Sequence, residues 1–195
     1  MSAIAKTTGL ISPEEYLEGE RLSEIRREYV DGYVYAMAGA SDDHNRIALN
    51  LATELQTALR GKRCEAFTND MKLRMPPAIP EAFYYPDVLV ACEETDNARY
   101  FREQPSILFE VLSPETERID RREKANAHRQ IPSVKVYVLL EQDRIAVTVL
   151  RNAEAGWTTE SIEGKDARLR LPEISVEISL ERIYERTRTA KASAA

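Results

Sequence analysis

Two acidic residues stand where an apolar strand least tolerates them. They are Asp87 in Tyr85-Pro86-Asp87-Val88-Leu89-Val90-Ala91 and Glu110 in Ile107-Leu108-Phe109-Glu110-Val111-Leu112. Both flanking runs are short, apolar and β-prone, and read as interior strands. A carboxylate inside such a strand is costly unless a cation, a metal or hydrogen bonds compensate it. If the two strands are neighbours in a suitable register, the carboxylates converge. With water they then make a hard-oxygen site of the kind Mg²⁺ or Mn²⁺ accepts. Such an ion polarises a phosphoryl group and acidifies bound water, so hydrolysis of a phosphoester is the chemistry implied. Taken singly, each acid has a plainer reading as the partner of a nearby arginine or a cap on the sheet.

Asp120, Lys124 and His128 are spaced i, i+4, i+8 and form one stripe of the helix expected after the Glu110 strand. A lysine on that stripe can orient an attacking water or offset developing negative charge. The alternative is an exposed Asp120–Lys124 ion pair of little consequence. Glu28 precedes an Asp31-Gly32 turn and His44 starts the following helix. Either offers a further ligand or an acid/base group near neutral pH. For His44 a purely local hydrogen bond at the helix start is the competing reading.

The elements that must position these residues are legible in outline. Ser12-Pro13-Glu14-Glu15 opens a helix with Ser12 as N-cap. Residues 27–37, with Asp31-Gly32 between β-branched and aromatic runs, predict a hairpin. Ser41-Asp42-Asp43-His44 opens a helix to about Arg60, closed by Gly61, with Ile47, Leu51, Leu55 and Leu59 as its buried stripe. Residues 65–75 alternate as one strand, with Lys72 on its polar side, and 76–80 read as a proline-rich loop. A helix from about Ile119 to Gln130, a hairpin of 134–140 with 145–150, a strand at 157–162 and a short helix at 180–186 complete the pattern. Strands with interspersed helices, rather than strict βαβ alternation, predict an α/β or α+β sandwich with a mixed sheet.

At 195 residues the chain fits one domain, expected over 12–186 with flexible tails at 1–11 and 187–195. Hydrophobic content of 43% and charged content of 31% describe an ordinary globular protein. No apolar run reaches transmembrane length and the N-terminus lacks a signal-peptide core, so a cytoplasmic chain is expected. Cys64 and Cys92 have no CxxC spacing, which predicts neither a zinc site nor a disulfide framework. A net charge of −6 argues against non-specific coating of nucleic acid. It leaves room for a local basic groove from Arg26-Arg27, Arg60–Arg63 or Arg118–Arg129, whose plain reading is solvated helix faces.

Together, Glu-Tyr-Val-Asp-Gly-x-Val-Tyr-Ala-Met at 28–37, His44, Tyr-Pro-Asp-Val at 85–88, Phe-Glu-Val-Leu-Ser-Pro at 109–114 and Asp-x-x-x-Lys at 120–124, followed by 131–137, resemble the Uma2 family (DUF820) over residues 12–186. That family is assigned to the PD-(D/E)xK nuclease superfamily. The resemblance implies a restriction-endonuclease-like core and a Mg²⁺-dependent (or Mn²⁺-dependent) endonuclease acting on DNA. It makes Asp87 the motif aspartate, Glu110 the second acid and the Val111 carbonyl a further metal ligand. Glu28 would match an accessory glutamate. The superfamily lysine two residues after the second acid is absent, since position 112 is Leu112, and the resemblance places that role at Lys124. His128 stands where related sequences carry tyrosine. Two other readings stay open: a nuclease fold that binds nucleic acid or protein without cutting, and a metal-dependent phosphoesterase with another substrate. A compact core that must cut two strands also implies a homodimer.

Overall fold

The computed structural model describes residues 10–37, 39–76, 81–113 and 124–192. Two mixed sheets pack face to face, with helices on their outer faces. The first helix, α1 (Pro13–Leu22), starts in the predicted capping box: the Glu15 amide donates to Ser12 Oγ at 3.2 Å, and the Ser12 amide donates to Glu15 Oε2 at 2.7 Å. Strands β1 (Arg27–Val30) and β2 (Tyr33–Ala36) form the predicted hairpin. Asp31 and Gly32 both take positive φ, 48° and 84°, the turn geometry that matches strand twist. A Cβ at Gly32 would also lie 2.9 Å from Leu10 Cδ2, so a larger residue there would have to displace that side chain.

The first sheet has the order β2-β1-β5-β4-β7, with β4 at Lys72–Arg74, β5 at Ala82–Tyr84 and β7 at Phe101–Arg102. Its outer face receives α1 through Tyr16, Tyr29, Val34 and Phe83. The second sheet has the order β11-β10-β9-β8-β6-β3. Its strands are β3 (Glu65–Thr68), β6 (Val88–Ala91), β8 (Pro105–Val111), β9 (Val136–Leu140), β10 (Ala146–Ala153) and β11 (Gly156–Glu163). It is antiparallel except at β8–β9. Every residue of β8 and β9 is buried, as strands covered on both faces require. Helix α2 (Asp42–Leu59) lays Ile47, Leu51, Leu55 and Leu59 on the outer face, against Val88, Val90, Phe109, Val111 and Val138. Each such side chain contributes about 1.5–3 kcal/mol by burial. Between the sheets lie Leu73, Met75, Leu89, Leu108, Tyr137 and Leu139, with Ala125 of the short helix α3 (Ala125–His128).

Several expectations are corrected. The alternating run 65–75 is two strands in different sheets. The chain turns at Asn69-Asp70, where the Met71 amide donates to the Thr68 carbonyl at 2.9 Å. Lys72 is consequently buried rather than solvated. Cys64 and Cys92 form a disulfide, brought together because the β3–β6 register Glu65↔Ala91 continues to them. Residues 168–179 add an unforeseen hairpin, β12 (Arg168–Leu171) and β13 (Val176–Ser179), which covers the α2 side of the core with α4 (Leu180–Ile183). The segment read as a C-terminal tail forms α5 (Arg188–Ala192). Thr187 is buried, the Arg188 amide donates to Asp43 Oδ1 at 3.0 Å and Thr189 Oγ1 donates to the Gln142 carbonyl at 2.8 Å. At the other end Ile11 is tied to the hairpin, its amide donating to the Gly32 carbonyl at 3.1 Å. Most of the helix expected from Ile119 lies outside the described residues.

Candidate active site

Asp87 and Glu110 come together because register and side-chain parity agree. The β6–β8 pairing Val88↔Phe109, continued by one residue, sets Asp87 opposite Glu110. Both share the sheet face of Leu89 and Leu108, which is turned towards the first sheet. Directly opposite residues of an antiparallel pair have Cβ atoms about 5 Å apart. Asp87 falls immediately before β6, after Pro86, at the point where the chain crosses from one sheet to the other.

Among the described residues, one oxygen of Asp87 takes two contacts. Oδ2 accepts the Val111 amide at 2.8 Å and lies 3.2 Å from His44 Nε2. His44 reaches it from the first turn of α2, where its own amide donates to the cap Ser41 Oγ at 3.1 Å. In a strand the N–H and C=O of one residue face the same neighbour, so the Val111 carbonyl also faces the Asp87 side. The next amide, Leu112, donates to Leu140 on the opposite side at 2.8 Å.

Lys124, immediately before α3, closes the cluster. Its Nζ lies 3.0 Å from Glu28 Oε1 and 3.9 Å from Glu110 Oε1, and 5.8 Å from the centroid of the Tyr84 ring. Glu28 arrives from β1, where the pairing Tyr29↔Phe83 continues to set it opposite Tyr84. Glu28, His44, Asp87, Glu110, Val111 and Lys124 are therefore all drawn to one end of the layer between the sheets. Asp120, the first member of the helical stripe, lies outside the described residues.

The family model for Uma2, described as "Putative restriction endonuclease", matches residues 13–182. The chain belongs to the Uma2 family. "Uncharacterized protein sll1609" of Synechocystis sp. is 34% identical over 142 residues, covering 71% of this chain and 79% of that protein. "Uncharacterized protein slr1290" of the same organism is 32% identical over 176 residues, covering 89% and 91%. A crystal structure described as "a putative nuclease belonging to DUF820 from Anabaena variabilis" superposes with a TM-score of 0.70 at 18% identity, covering 89% of this chain and 97% of that one. That likeness is one of fold.

Within this Uma2 core, His128 does not join the polar cluster. It is fully buried, edge-on to Tyr84 at 5.6 Å and Tyr137 at 5.2 Å, and neither ring nitrogen has a hydrogen-bond partner among the described residues. Burial, aided by the Lys124 ammonium, holds its pKa down to about 3, so it is a neutral packing group beneath Lys124. Tyr84 is the site neighbour that sequence reasoning missed; the aromatic run Phe83-Tyr84-Tyr85 was its signal.

Three carboxylates surround one ammonium and one imidazole, a balance that attracts a cation. Among the described residues no group of three or more His, Cys, Asp and Glu side chains is placed so that it could hold a metal ion. Mg²⁺ does not require such a group, because it keeps several waters and binds through one or two carboxylates. The adjacent carboxylates of Asp87 and Glu110, with a carbonyl turned to the same side, fit such a partial shell.

Proposed function

We propose that this Uma2 protein is a divalent-metal-dependent endonuclease hydrolysing DNA phosphodiester bonds, with Asp87, Glu110 and Lys124 as its catalytic residues. The observation that carries the reading is the placement of Asp87 opposite Glu110, with Lys124 Nζ 3.9 Å from Glu110 Oε1. Asp87, Glu110 and the Val111 carbonyl would hold Mg²⁺ or Mn²⁺. When bound, that ion polarises the scissile phosphate and acidifies water.

The chain's own residues divide the remaining work. Val111 N–H and His44 fix Asp87 through Oδ2, so Oδ1 remains for the ion. Lys124 orients the attacking water and offsets the negative charge that builds on the phosphorus oxygens. Glu28 positions Lys124 from the opposite sheet. Water oxygen bonds to phosphorus, the bond to the 3′ oxygen breaks, and a proton passes from water to the leaving oxygen.

Cleavage of supercoiled plasmid, linear duplex, single strands and RNA with Mg²⁺ or Mn²⁺ tests this reading. Glu110→Ala combined with Lys124→Ala should lower the rate by at least about 10²-fold. Cleavage at the wild-type rate by the double variant would sink the site assignment.

A second reading has its own support. The Lys124–Glu28 contact at 3.0 Å and the His44–Asp87 contact at 3.2 Å compensate two of the acids without an ion. A nuclease fold retained purely for binding would keep such pairs. Calorimetric titration with Mn²⁺ separates the two: absent binding, or binding indifferent to Asp87→Ala, favours the binding module. Turnover of a chromogenic phosphodiester without turnover of DNA would instead favour a phosphoesterase of another substrate.

A further inference from the structure

We propose that Arg21, Tyr100 and Arg99 form a clamp for a backbone phosphate of the DNA strand, set apart from the scissile phosphate. The proposal rests on the reading of the chain as a DNA nuclease and supplies what an acidic protein needs to hold a polyanion. Tyr100 is 42% exposed, and the guanidinium carbons of Arg21 and Arg99 lie 5.7 and 5.4 Å from its ring centroid. Arg21 comes from the last turn of α1; Arg99 and Tyr100 lead into β7.

The other arginines of this surface are already committed. Arg26 is paired with Asp70 at 2.5 Å, Arg27 with Glu20 at 3.1 Å and Arg74 with Glu81 at 2.9 Å. Arg21 and Arg99 have no carboxylate partner among the described residues, although the chain carries a net charge of −6. An aromatic ring holds a guanidinium in place without using its N–H donors. Two guanidinium groups held on one exposed ring therefore keep their N–H donors available to phosphate oxygens.

Register places the clamp at the correct end of the molecule. The β4–β5 pairing Leu73↔Tyr84 continues to set Met71 opposite Pro86, and the parallel β4–β7 pairing Lys72↔Phe101 continues to set Met71 beside Tyr100. Pro86, Met71 and Tyr100 thus form a row across the end of the first sheet from which the chain leaves for Asp87. Two strand spacings separate Pro86 from Tyr100 by roughly 10 Å. One strand of DNA advances about 3.4 Å along the axis per phosphate, so the clamp reaches a phosphate on the order of three nucleotides from the cut.

Binding of a short fluorescent duplex, followed by anisotropy in EDTA from about 50 to 200 mM KCl, tests the clamp apart from metal and cleavage. Arg21→Gln with Arg99→Gln should raise Kd roughly tenfold at about 0.1 M salt and reduce the slope of log K against log salt by about 1, the share of one phosphate. Tyr100→Phe should bind as wild type, and Tyr100→Ala should weaken binding as the double arginine variant does; thermal melts certify that each variant is folded. A double variant with wild-type affinity and slope overturns the clamp while leaving the nuclease reading intact, as does a wild type that cleaves plasmid with Mg²⁺ but shows no binding in EDTA. A wild type that neither binds nor cleaves overturns both.

Discussion

Lys124 sits between carboxylates that belong to opposite sheets, Glu28 of the first and Glu110 of the second. The two contacts predict different losses. Lys124→Met removes the cation itself, whereas Glu28→Gln leaves the cation but loosens its position. Glu28→Gln should therefore lower kcat by roughly 10–100-fold with a much smaller change in Mn²⁺ affinity, measured by single-turnover cleavage and calorimetry. Beneath them, His128 makes stability depend on pH. Its pKa in the fold is about 3, below the ordinary 6.5, so the unfolded chain binds a proton that the native chain refuses. Stability from this residue is intact above pH 6.5 and declines as pH falls from there towards 3. His128→Phe, which keeps the ring between Tyr84 and Tyr137, should gain on wild type by about 2 kcal/mol between pH 7.5 and 5, read from denaturant midpoints.

Among the elements, the pair β3–β6 carries the disulfide at the end remote from Asp87. The bond closes a loop with a sequence separation of 28. Its removal by Cys64→Ser with Cys92→Ser should cost about 3–4 kcal/mol of unfolding free energy, measured by chemical denaturation against oxidised wild type. An unchanged midpoint would show that β3 is held by its ladder alone. This bond also marks what the sequence could not reveal. Asp87 and Glu110 were legible because a charge inside an apolar run is anomalous, and Lys124 because helical spacing aligns it with its neighbours. Pairing between strands is non-local, so nothing in the spacing of Cys64 and Cys92 announced that they face each other across β3 and β6. The same limit hid the break at Asn69-Asp70: alternation of apolar and polar residues runs through it unchanged, and only sheet partners distinguish one strand from two. Thr187 and Thr189 were invisible for a related reason, since short polar residues that dock through hydrogen bonds resemble those of a loose end.

For the molecule as a whole, no helix among the described residues is long and apolar enough to cross a membrane. On the nuclease reading each chain has one cutting centre, and severing both strands of a duplex at one place takes two. The expected solution state is therefore a homodimer, checked by light scattering with and without duplex DNA. A monomer in both conditions, producing nicked circles rather than linear plasmid, would show a single-strand nickase instead. The closest geometric constraint lies in the provenance of the site residues. Glu28 belongs to the first sheet, Glu110 to the second, Asp87 to the crossing between them and His44 to α2, while Lys124 is the residue preceding α3. No contiguous stretch of chain contains a working centre, and neither sheet alone does. On the nuclease reading, hydrolytic competence would arise only when the two layers close, which would make folding itself the safety catch on a destructive activity.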